Sequence, residues 1–215
     1  MDQFASAMSR EGCALLLDCR SLHSEPIPLP KAAAVVVMDT GVRRRLATSA
    51  YNERRAACDS AVAAVQRLDE RVRALRDVNR DLLESARSQM SDLVFRRARH
   101  VVEENERPRA LAKAFRLGDL RAAGRLMDDS HASLRDLYEV SCPELDLLTD
   151  LARDHPACHG ARMTGAGFGG CAVAVLRTYA AEAFSAHVTQ AYRQMTGLTA
   201  NVIICTAEAG ASVLS

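Results

Sequence analysis

Apolar and polar positions near the start of the chain follow the patterns of a short helix and two strands. Residues 2–8 have the spacing of one or two helical turns, and the apolar runs at residues 14–19 and 33–38 each predict a buried strand. Between these runs lie Pro26, Pro28 and Pro30. Because proline lacks the amide hydrogen that a central strand donates, we predict a connection or an edge strand there.

From Ser49 the apolar residues recur at helical spacing for about a hundred residues. Ser49 is the predicted N-cap of a helix that continues past Val65. A second apolar stripe at positions 94, 98, 101 and 102 predicts another helix, which we expect Pro108 to interrupt or kink unless it opens a new one. Two further helices are predicted over residues 119–137 and 143–153, the latter with a proline in its first turn.

The last third of the chain returns to mixed structure. Residues 171–176 and 202–206 predict strands on either side of a helix over residues 180–195. We expect one face of this helix to carry Phe184, Val188, Ala191 and Met195. Together with the early strands and the helical middle, this β-α-β run predicts an α+β fold.

Length and charge exclude several classes of function. The 215 residues suffice for one large domain or two small ones. With 28 basic against 27 acidic side chains, the net charge of +1 argues against a general affinity for nucleic acid and gives no membrane-surface signal. We also expect neither a signal peptide nor a membrane span, because no apolar segment approaches about 20 residues.

Cysteine usage indicates the redox environment. The seven cysteines are an odd number, and Cys19, Cys171 and Cys205 lie in apolar runs that resemble strands. We therefore expect buried thiols in a reducing cytoplasm rather than a disulfide framework.

A glycine-rich segment is the strongest local signal for a binding site. Gly165, Gly167, Gly169 and Gly170 indicate a backbone that takes positive φ or lets another group approach closely. Three of them match the dinucleotide pattern Gly-x-Gly-x-x-Gly, but that fingerprint needs a helix after it, and a strand follows here. A glycine hairpin between strands is the alternative. A Walker-type Gly-Lys-Ser/Thr sequence is absent.

Other polar residues carry weaker signals. Asp2 is a candidate acid or base, although an acidic residue at a helix start is usually a cap or a dipole partner. Tyr51 could present its hydroxyl to a ligand or be a half-buried aromatic side chain. The arginines at residues 43–45 could bind phosphate or form a solvated surface.

A group of histidine and cysteine residues could be a metal site. His155, Cys158 and His159 lie close together in the sequence. A tetrahedral zinc site needs four ligands, and the neighbourhood lacks a second pair at suitable spacing. We therefore predict no metal site.

Six segments recur in a family order along almost the whole chain. They are Met-Asp-Gln-Phe at residues 1–4 with the run at 12–21, Asp-Thr-Gly-Val-Arg at 39–43, residues 49–55, Arg-His-Val-Val with Glu-Asn at 99–105, Tyr-Glu-Val-Ser-Cys-Pro-Glu-Leu-Asp at 138–146, and the glycine-rich residues 160–171. In combination they resemble the galactokinase family of the GHMP small-molecule kinases.

The resemblance implies an activity and roles for particular residues. Asp2 would be the catalytic carboxylate beside the anomeric hydroxyl of galactose, and Tyr51 would contact the sugar. The four glycines would lie near the substrate and the phosphates. ATP with Mg2+ would be the phosphoryl donor, and galactose 1-phosphate the product. The complete enzyme would be a cytoplasmic monomer without nucleic-acid or membrane partners.

The same resemblance implies a division into domains. Residues 1–45 would be a remnant of the N-terminal S5-like domain. Residues 46–215 would be the GHMP kinase C-terminal domain, an α+β unit of ferredoxin-like β-α-β elements with a helical middle.

Two family motifs do not occur within the 215 residues. They are the sugar-binding segment Gly-Arg-Val-Asn-Leu-Ile-Gly-Glu-His-Thr-Asp-Tyr and the serine-rich phosphate loop. We therefore expect a C-terminal portion that is inactive alone, since positioning and charge stabilisation dominate phosphoryl transfer. Two alternatives stay open: another GHMP small-molecule kinase, and a non-catalytic galactose-responsive regulator.

Overall fold

The computed structural model describes residues 2–43 and 47–212, and only the backbone of residues 47–49. Within these ranges the helices are α1 (Asp2–Met8), α2 (Ala47–Gln66), α3 (Arg80–Ser85), α4 (Asp92–Arg116), α5 (Leu120–Asp136), α6 (Pro143–Asp154) and α7 (Ala181–Thr196). The strands are β1 (Cys13–Leu17), β2 (Ser24–Pro28), β3 (Ala33–Asp39), β4 (Cys158–Met163), β5 (Cys171–Arg177) and β6 (Asn201–Cys205). No described helix has the length and apolar character needed to cross a membrane.

Four strands form the central antiparallel sheet, in the order β4-β5-β3-β6. Val36 of β3 pairs with Ala174 of β5 on one side and with Ile204 of β6 on the other. In chain order the elements make a β-α-β-β-α-β unit, in which α2 to α6 fill the first connection and α7 fills the second. The structure thus confirms the α+β fold with ferredoxin-like elements and a helical middle.

Alternation along β3 separates the two faces of this sheet. Ala34, Val36 and Met38 are at most 7% exposed, whereas Val35 and Val37 between them are partly exposed. Successive side chains of a strand point to opposite faces, so the buried set faces one side. That side packs with apolar residues of α6 and α7 into one core cluster.

The strands β1 and β2 form a separate two-stranded antiparallel sheet. Leu15 pairs with Pro26, and Cys13 pairs with Pro28. The prediction of an edge strand in the proline-rich stretch is therefore confirmed, because an edge strand has one side on which no ladder donor is needed.

Two predictions about helix boundaries are wrong. The helix α2 begins at Ala47, so Ser49 lies inside the helix instead of at its N-cap, and its side chain is outside the described residues. The helix α4 continues through Pro108, so the interruption is wrong, whereas the alternative of a kink stays a prediction. Proline removes only one intrahelical hydrogen bond, and buried residues on both sides of it, including Val102 and Phe115, hold the helix in place.

The burial of two side-chain groups also differs from prediction. On α7, Phe184 and Val188 are buried as expected, but Met195 is 65% exposed and Tyr192, four residues after Val188, completes the buried face. Helical neighbours at i and i+4 share a face, which places residue 192 in line with them. Contrary to the expectation of buried thiols, Cys19 is exposed and the other six cysteines are only partly buried. Cys19 follows β1 instead of lying in it.

The predicted domain boundary falls at residues 45 and 46, which lie outside the described residues. On its N-terminal side, β3 pairs with β5 and β6 of the last third. The division itself stays a prediction.

Candidate functional site

Residues 164–170, which we call the glycine loop, connect β4 to β5 as a hairpin. Gly165, Gly167, Gly169 and Gly170 all have positive φ, between 74° and 118°. A Cβ atom on Gly167 would lie 2.0 Å from the carbonyl oxygen of Val140. The hairpin alternative is confirmed, and glycine is required here because any side chain would collide with backbone.

One support of the glycine loop comes from the end of β3. The backbone amide and the hydroxyl of Thr40 both donate to the carbonyl oxygen of Gly170, at 3.0 and 2.8 Å. In return the amide of Gly170 donates to the carbonyl oxygen of Val42 at 3.1 Å. Tyr192 is fully buried and donates its hydroxyl to the carbonyl oxygen of Thr40 at 3.0 Å. These bonds place the segment 39–42 directly against the loop.

A second support comes from the turn at residues 138–140. The amide of Phe168 donates to the carbonyl oxygen of Val140 at 2.8 Å. Both Phe168 (φ 59°) and Glu139 (φ 51°) hold left-handed backbone conformations that non-glycine residues adopt at a cost in free energy. Arg54 of α2 joins the two, because its guanidinium donates to the carbonyl oxygens of Tyr138 and Glu139 and lies 5.7 Å from the centre of the Phe168 ring.

Buried polar groups hold the 138–140 turn from behind. Arg97 of α4 is 1% exposed and donates to the carbonyl oxygen of Leu137 and, at 2.7 Å, to the carboxylate of Glu139. This hydrogen bond from Arg97 keeps the pKa of Glu139 below its usual value. His100, one turn along α4, stacks on the Tyr138 ring at 4.5 Å. Burial lowers the pKa of His100 to about 4 and raises that of Tyr138 to about 12, so both are neutral at pH 7.

The glycine loop presents backbone donors that no described residue uses. Among the described residues no hydrogen bond occupies the amides of Gly165, Ala166, Gly167 or Gly169. Gly165 and Ala166 are also exposed. Consecutive amides in a turn with positive φ form a concave site for anions and for polar oxygens of a ligand. The loop can therefore act as a donor surface without a lysine.

A cavity of about 910 Å³ lies between the loop's base and the start of β1. Residues 11–14 and 206–208 line one part of it, and apolar residues of β3, β5 and α4 line another. Lys31, Arg162 and Thr164 add polar groups to its wall. Its volume is within the range of small-molecule sites.

Comparison with known proteins shows similarity to the GHMP kinases. Residues 111–194 match the family model described as "GHMP kinases C terminal". Over 98% of its length the chain is 46% identical to a galactokinase of Roseiflexus sp. (strain RS-1), and over 100% it is 47% identical to the galactokinase of Homo sapiens. Over its whole length the chain is therefore similar to part of the galactokinases, and residues 111–194 match the C-terminal region of GHMP kinases. The chain spans about half the length of these relatives, 54% and 53% respectively.

Solved structures agree with this assignment. The crystal structure of Lactococcus lactis galactokinase complexed with galactose matches 98% of the chain, and 55% of its own, with a TM-score of 0.90 and 36% identity. Leishmania major mevalonate kinase, solved with R-mevalonate, matches 92% of the chain and 50% of its own at a TM-score of 0.51 and 20% identity. At that identity the second likeness shows only a shared fold.

Tyr51 lies near Tyr138, in the turn at residues 138–140 that supports the glycine loop. It lies on α2 one turn before Arg54, and 61% of its surface is exposed. It is close enough to Tyr138 to interact with it electrostatically. The half-buried alternative for this aromatic side chain is therefore wrong.

Asp2, the predicted catalytic carboxylate, lies on the short helix α1. It is exposed in the first turn of α1, and no residue of α1 is fully buried. The helix is held by the C-terminal segment, where the amides of Gly210 and Ala211 donate to the carbonyl oxygens of Ser9 and Ser6. Among the described residues no hydrogen bond joins Asp2 to the glycine loop.

The remaining candidates have structural surroundings. His155 packs on Phe184 and His187. Among the described residues no group of three or more His, Cys, Asp or Glu side chains is arranged to hold a metal ion. Of the arginine run at 43–45, Arg43 is exposed, and the other two lie outside the described residues.

Sequence reasoning missed Arg54, Arg97 and Arg162. Each is an arginine in a chain with 26 of them, so composition did not single them out. Arg54 and Arg162 do lie within matched segments, at residues 49–55 and 160–171, and a search for single charges inside those segments would have found both.

Proposed function

We propose that this chain is part of a galactokinase, which transfers the γ-phosphoryl group of ATP to the anomeric hydroxyl of galactose and produces galactose 1-phosphate and ADP. The observation that carries the proposal is the 46–47% identity to galactokinases over essentially every residue of the chain. The mevalonate kinase and homoserine kinase structures that share the fold are only 20% and 14% identical to the chain, which favours galactose over the substrates in their names.

In the proposed reaction Asp2 is the carboxylate beside the sugar. As the anomeric oxygen attacks the γ-phosphorus atom, the bond from phosphorus to the bridging oxygen of ADP breaks, and the hydroxyl proton is accepted or oriented by Asp2. The exposed position of Asp2 leaves its carboxylate accessible to a ligand. This role also requires the sugar to lie beside α1.

The other proposed contacts lie at the glycine loop. Tyr51 would contact the sugar with its exposed hydroxyl, and the unoccupied amides of the loop would face substrate or phosphate oxygens. The supports at Val42 and Val140 fix these donors before a ligand arrives, which lowers the entropy lost on binding.

ATP and Mg2+ are part of the proposal. The described residues offer no cluster of acidic side chains for a metal, so this part of the chain does not fit a resident magnesium site, and no step is assigned to the ion. We further propose a cytoplasmic location, supported by an odd number of cysteines that suggests no disulfide framework, together with a monomeric enzyme and a domain division near residue 45.

A chimaera tests this function. The residues of the Roseiflexus galactokinase that match this chain would be replaced by the chain itself, and galactose-dependent ADP release would be measured. We expect turnover within about tenfold of the parent enzyme, and a loss of at least 100-fold in Asp2→Asn. A folded chimaera without turnover would contradict the proposal.

Two controls separate the alternatives. The 215-residue chain assayed alone should release ADP at background rates, because it lacks both family motifs named above. A chimaera that binds galactose and ATP without turnover would support the regulator, whereas preference for another alcohol would support a different GHMP kinase.

A further inference from the structure

The strand β4 is an edge of the central sheet, and its outward amides need partners from elsewhere. Thr164, just beyond β4, donates its amide to Cys171. Since amides of an antiparallel strand alternate in direction, those of Ala161 and Met163 point away from β5. The side chains of Asp128 and His131, one turn apart on α5, accept them at 3.0 and 3.2 Å.

His131 lies at the base of the glycine loop, because Met163 is the residue directly before it. The ring is 1% exposed, and its Nδ1 accepts the Met163 amide. Its Nε2 lies 3.0 Å from the hydroxyl of Thr149 and 3.2 Å from the carboxylate of Asp146, both on α6. One imidazole thus connects the loop's base with α6.

The neighbours of His131 assign its protonation state. An amide can only donate, so Nδ1 carries no proton. The Thr149 hydroxyl donates its hydrogen bond to the carbonyl oxygen of Asp146 at 2.9 Å. Its oxygen is therefore the acceptor for a hydrogen bond from Nε2. Only the neutral ring with hydrogen on Nε2 satisfies both contacts.

The same network reaches the tip of the glycine loop. The carboxylate of Asp146 also accepts the hydroxyl of Ser141 at 2.5 Å. The residue before Ser141 is Val140, whose carbonyl oxygen binds Phe168 and packs against Gly167. His131 therefore connects the base of the loop at Met163 with the support at Val140.

We propose that His131 is a positioning residue for the glycine loop in the galactokinase reaction, with Nδ1 holding the loop's base and Nε2 holding α6. The reaction part of this inference rests on the proposed function. Protonation of Nδ1 would place two donors against each other at Met163, so positioning is lost when the ring becomes charged.

Several charged groups face the ring and set where it titrates. Asp146 and Asp150 on α6 favour the charged form, whereas Arg153 on α6 and Arg135 on α5 oppose it. Burial opposes the charged form most strongly, so the pKa of His131 lies below its usual value. Positioning should therefore be intact at pH 7 and be lost in acid.

Two variants of the full 215-residue chain separate the two bonds. His131→Gln places a donor near the Nε2 position but has no acceptor at Nδ1, whereas His131→Asn keeps an acceptor at Nδ1. Hydrogen exchange should rise at least tenfold at Met163 and at the hydrogen-bonded loop amides of Phe168 and Gly170 for His131→Gln, and stay within threefold of wild type for His131→Asn. Asp128→Ala is the matched control: it should release the amide of Ala161 and the guanidinium of Arg153, and leave the amide of Met163 bound to His131.

The Val36 amide in the middle of the sheet monitors global unfolding. If its exchange rises as much as that of Met163 in His131→Gln, the comparison of wild type with His131→Asn decides. After correction for the slower intrinsic exchange in acid, the protection of the amides of Met163 and Phe168 should fall with pH in wild type and not in His131→Asn. Native exchange at Met163 in a folded His131→Gln, or equal acid sensitivity of both proteins, would overturn the inference.

The chimaera then tests the link to the reaction. His131→Gln should lower kcat/KM for galactose at least tenfold, Asp128→Ala should stay within threefold, and His131→Asn should lack the acid limb of the pH profile. A chimaera that is inactive with native His131 overturns the proposed function and its reaction link. An active chimaera that is indifferent to His131→Gln overturns the positioning role alone.

Discussion

The glycine loop and α1 carry the two halves of the predicted site, and the protein holds them in opposite ways. The loop is fixed by backbone bonds to Thr40, Val42 and Val140 and by buried side chains behind them. The helix α1 has no fully buried residue and is held mainly by backbone bonds to the C-terminal segment. Binding through backbone amides, as proposed for the loop, needs such support, whereas the role proposed for Asp2 needs only a side chain that solvent and ligand can reach. Variants on the loop side should therefore lower the free energy of unfolding more than variants on α1.

Gly167→Ala should have the largest effect. A Cβ at this position would lie 2.0 Å from the Val140 oxygen, and the residue has a φ of +82°. Overpacking and the left-handed conformation together should lower the free energy of unfolding by about 3 to 4 kcal/mol in urea titrations. Gly12→Ala is the matched control beside α1, since its φ is +69° and nothing lies within 4 Å of the added atom. It should cost about 1 kcal/mol, and equal losses would remove the contrast.

Acid should weaken the loop side of the molecule next. Burial lowers the pKa of His100 in the folded chain to about 4, against 6.5 for an ordinary histidine. Between these values the unfolded chain binds more protons, so the free energy of unfolding falls as pH drops, by at most about 3 kcal/mol. The contribution of neutral His100 to the free energy of unfolding is fully present above pH 6.5.

The slope can be assigned with one variant and one control. His100→Gln should reduce the dependence of the free energy of unfolding on pH between 6.5 and 4, measured by urea titration at each pH, and leave the part that His131 contributes. The exposed His23→Gln should leave the slope as in wild type. A slope unchanged in His100→Gln would assign the acid sensitivity to another group.

Arg97→Met should have a moderate effect. It removes the donors to the Leu137 carbonyl oxygen and to Glu139, leaving a strained turn without its buried support. We expect a loss of about 2 kcal/mol, measured by thermal and urea unfolding. Arg96→Met is the neighbouring control, because Arg96 pairs with the same carboxylate at 3.1 Å but is 46% exposed. It should cost less than about 1 kcal/mol, and a similar loss in both variants would show that the buried bonds carry no extra stability.

Asp2→Asn should have the smallest effect on stability. An exposed residue on a short helix contributes less than about 0.5 kcal/mol. In the chimaera the same change should remove activity, as proposed above. Glu182→Gln, an exposed acidic residue in the first turn of α7, is the control and should change neither property. A large loss of stability in Asp2→Asn would mean that α1 is part of the packed structure.

Local patterns in the sequence predicted most of the elements. Continuous apolar runs identified β3 and β5. Helical spacing identified α2, α4, α5, α6 and α7, because the helical period follows from backbone geometry. Glycine content identified the loop, since only glycine adopts those φ values without strain. Errors occurred where a local preference competed with packing, as at Pro108, or where one turn of a helix decides which residue is buried, as at Tyr192 in place of Met195.

What the sequence alone determined is the order of most helices and strands, without α3 and β4, together with the positions of the glycines and the resemblance from which roles for Asp2 and Tyr51 are proposed. Only the tertiary structure decided what meets the glycine loop. Thr40, Arg54, His131 and Val140 are separated from it by roughly 30 to 130 residues, and no local pattern connects them. The antiparallel order β4-β5-β3-β6 brings them together, because it puts the end of β3 beside the loop and leaves the outward amides of β4 to α5.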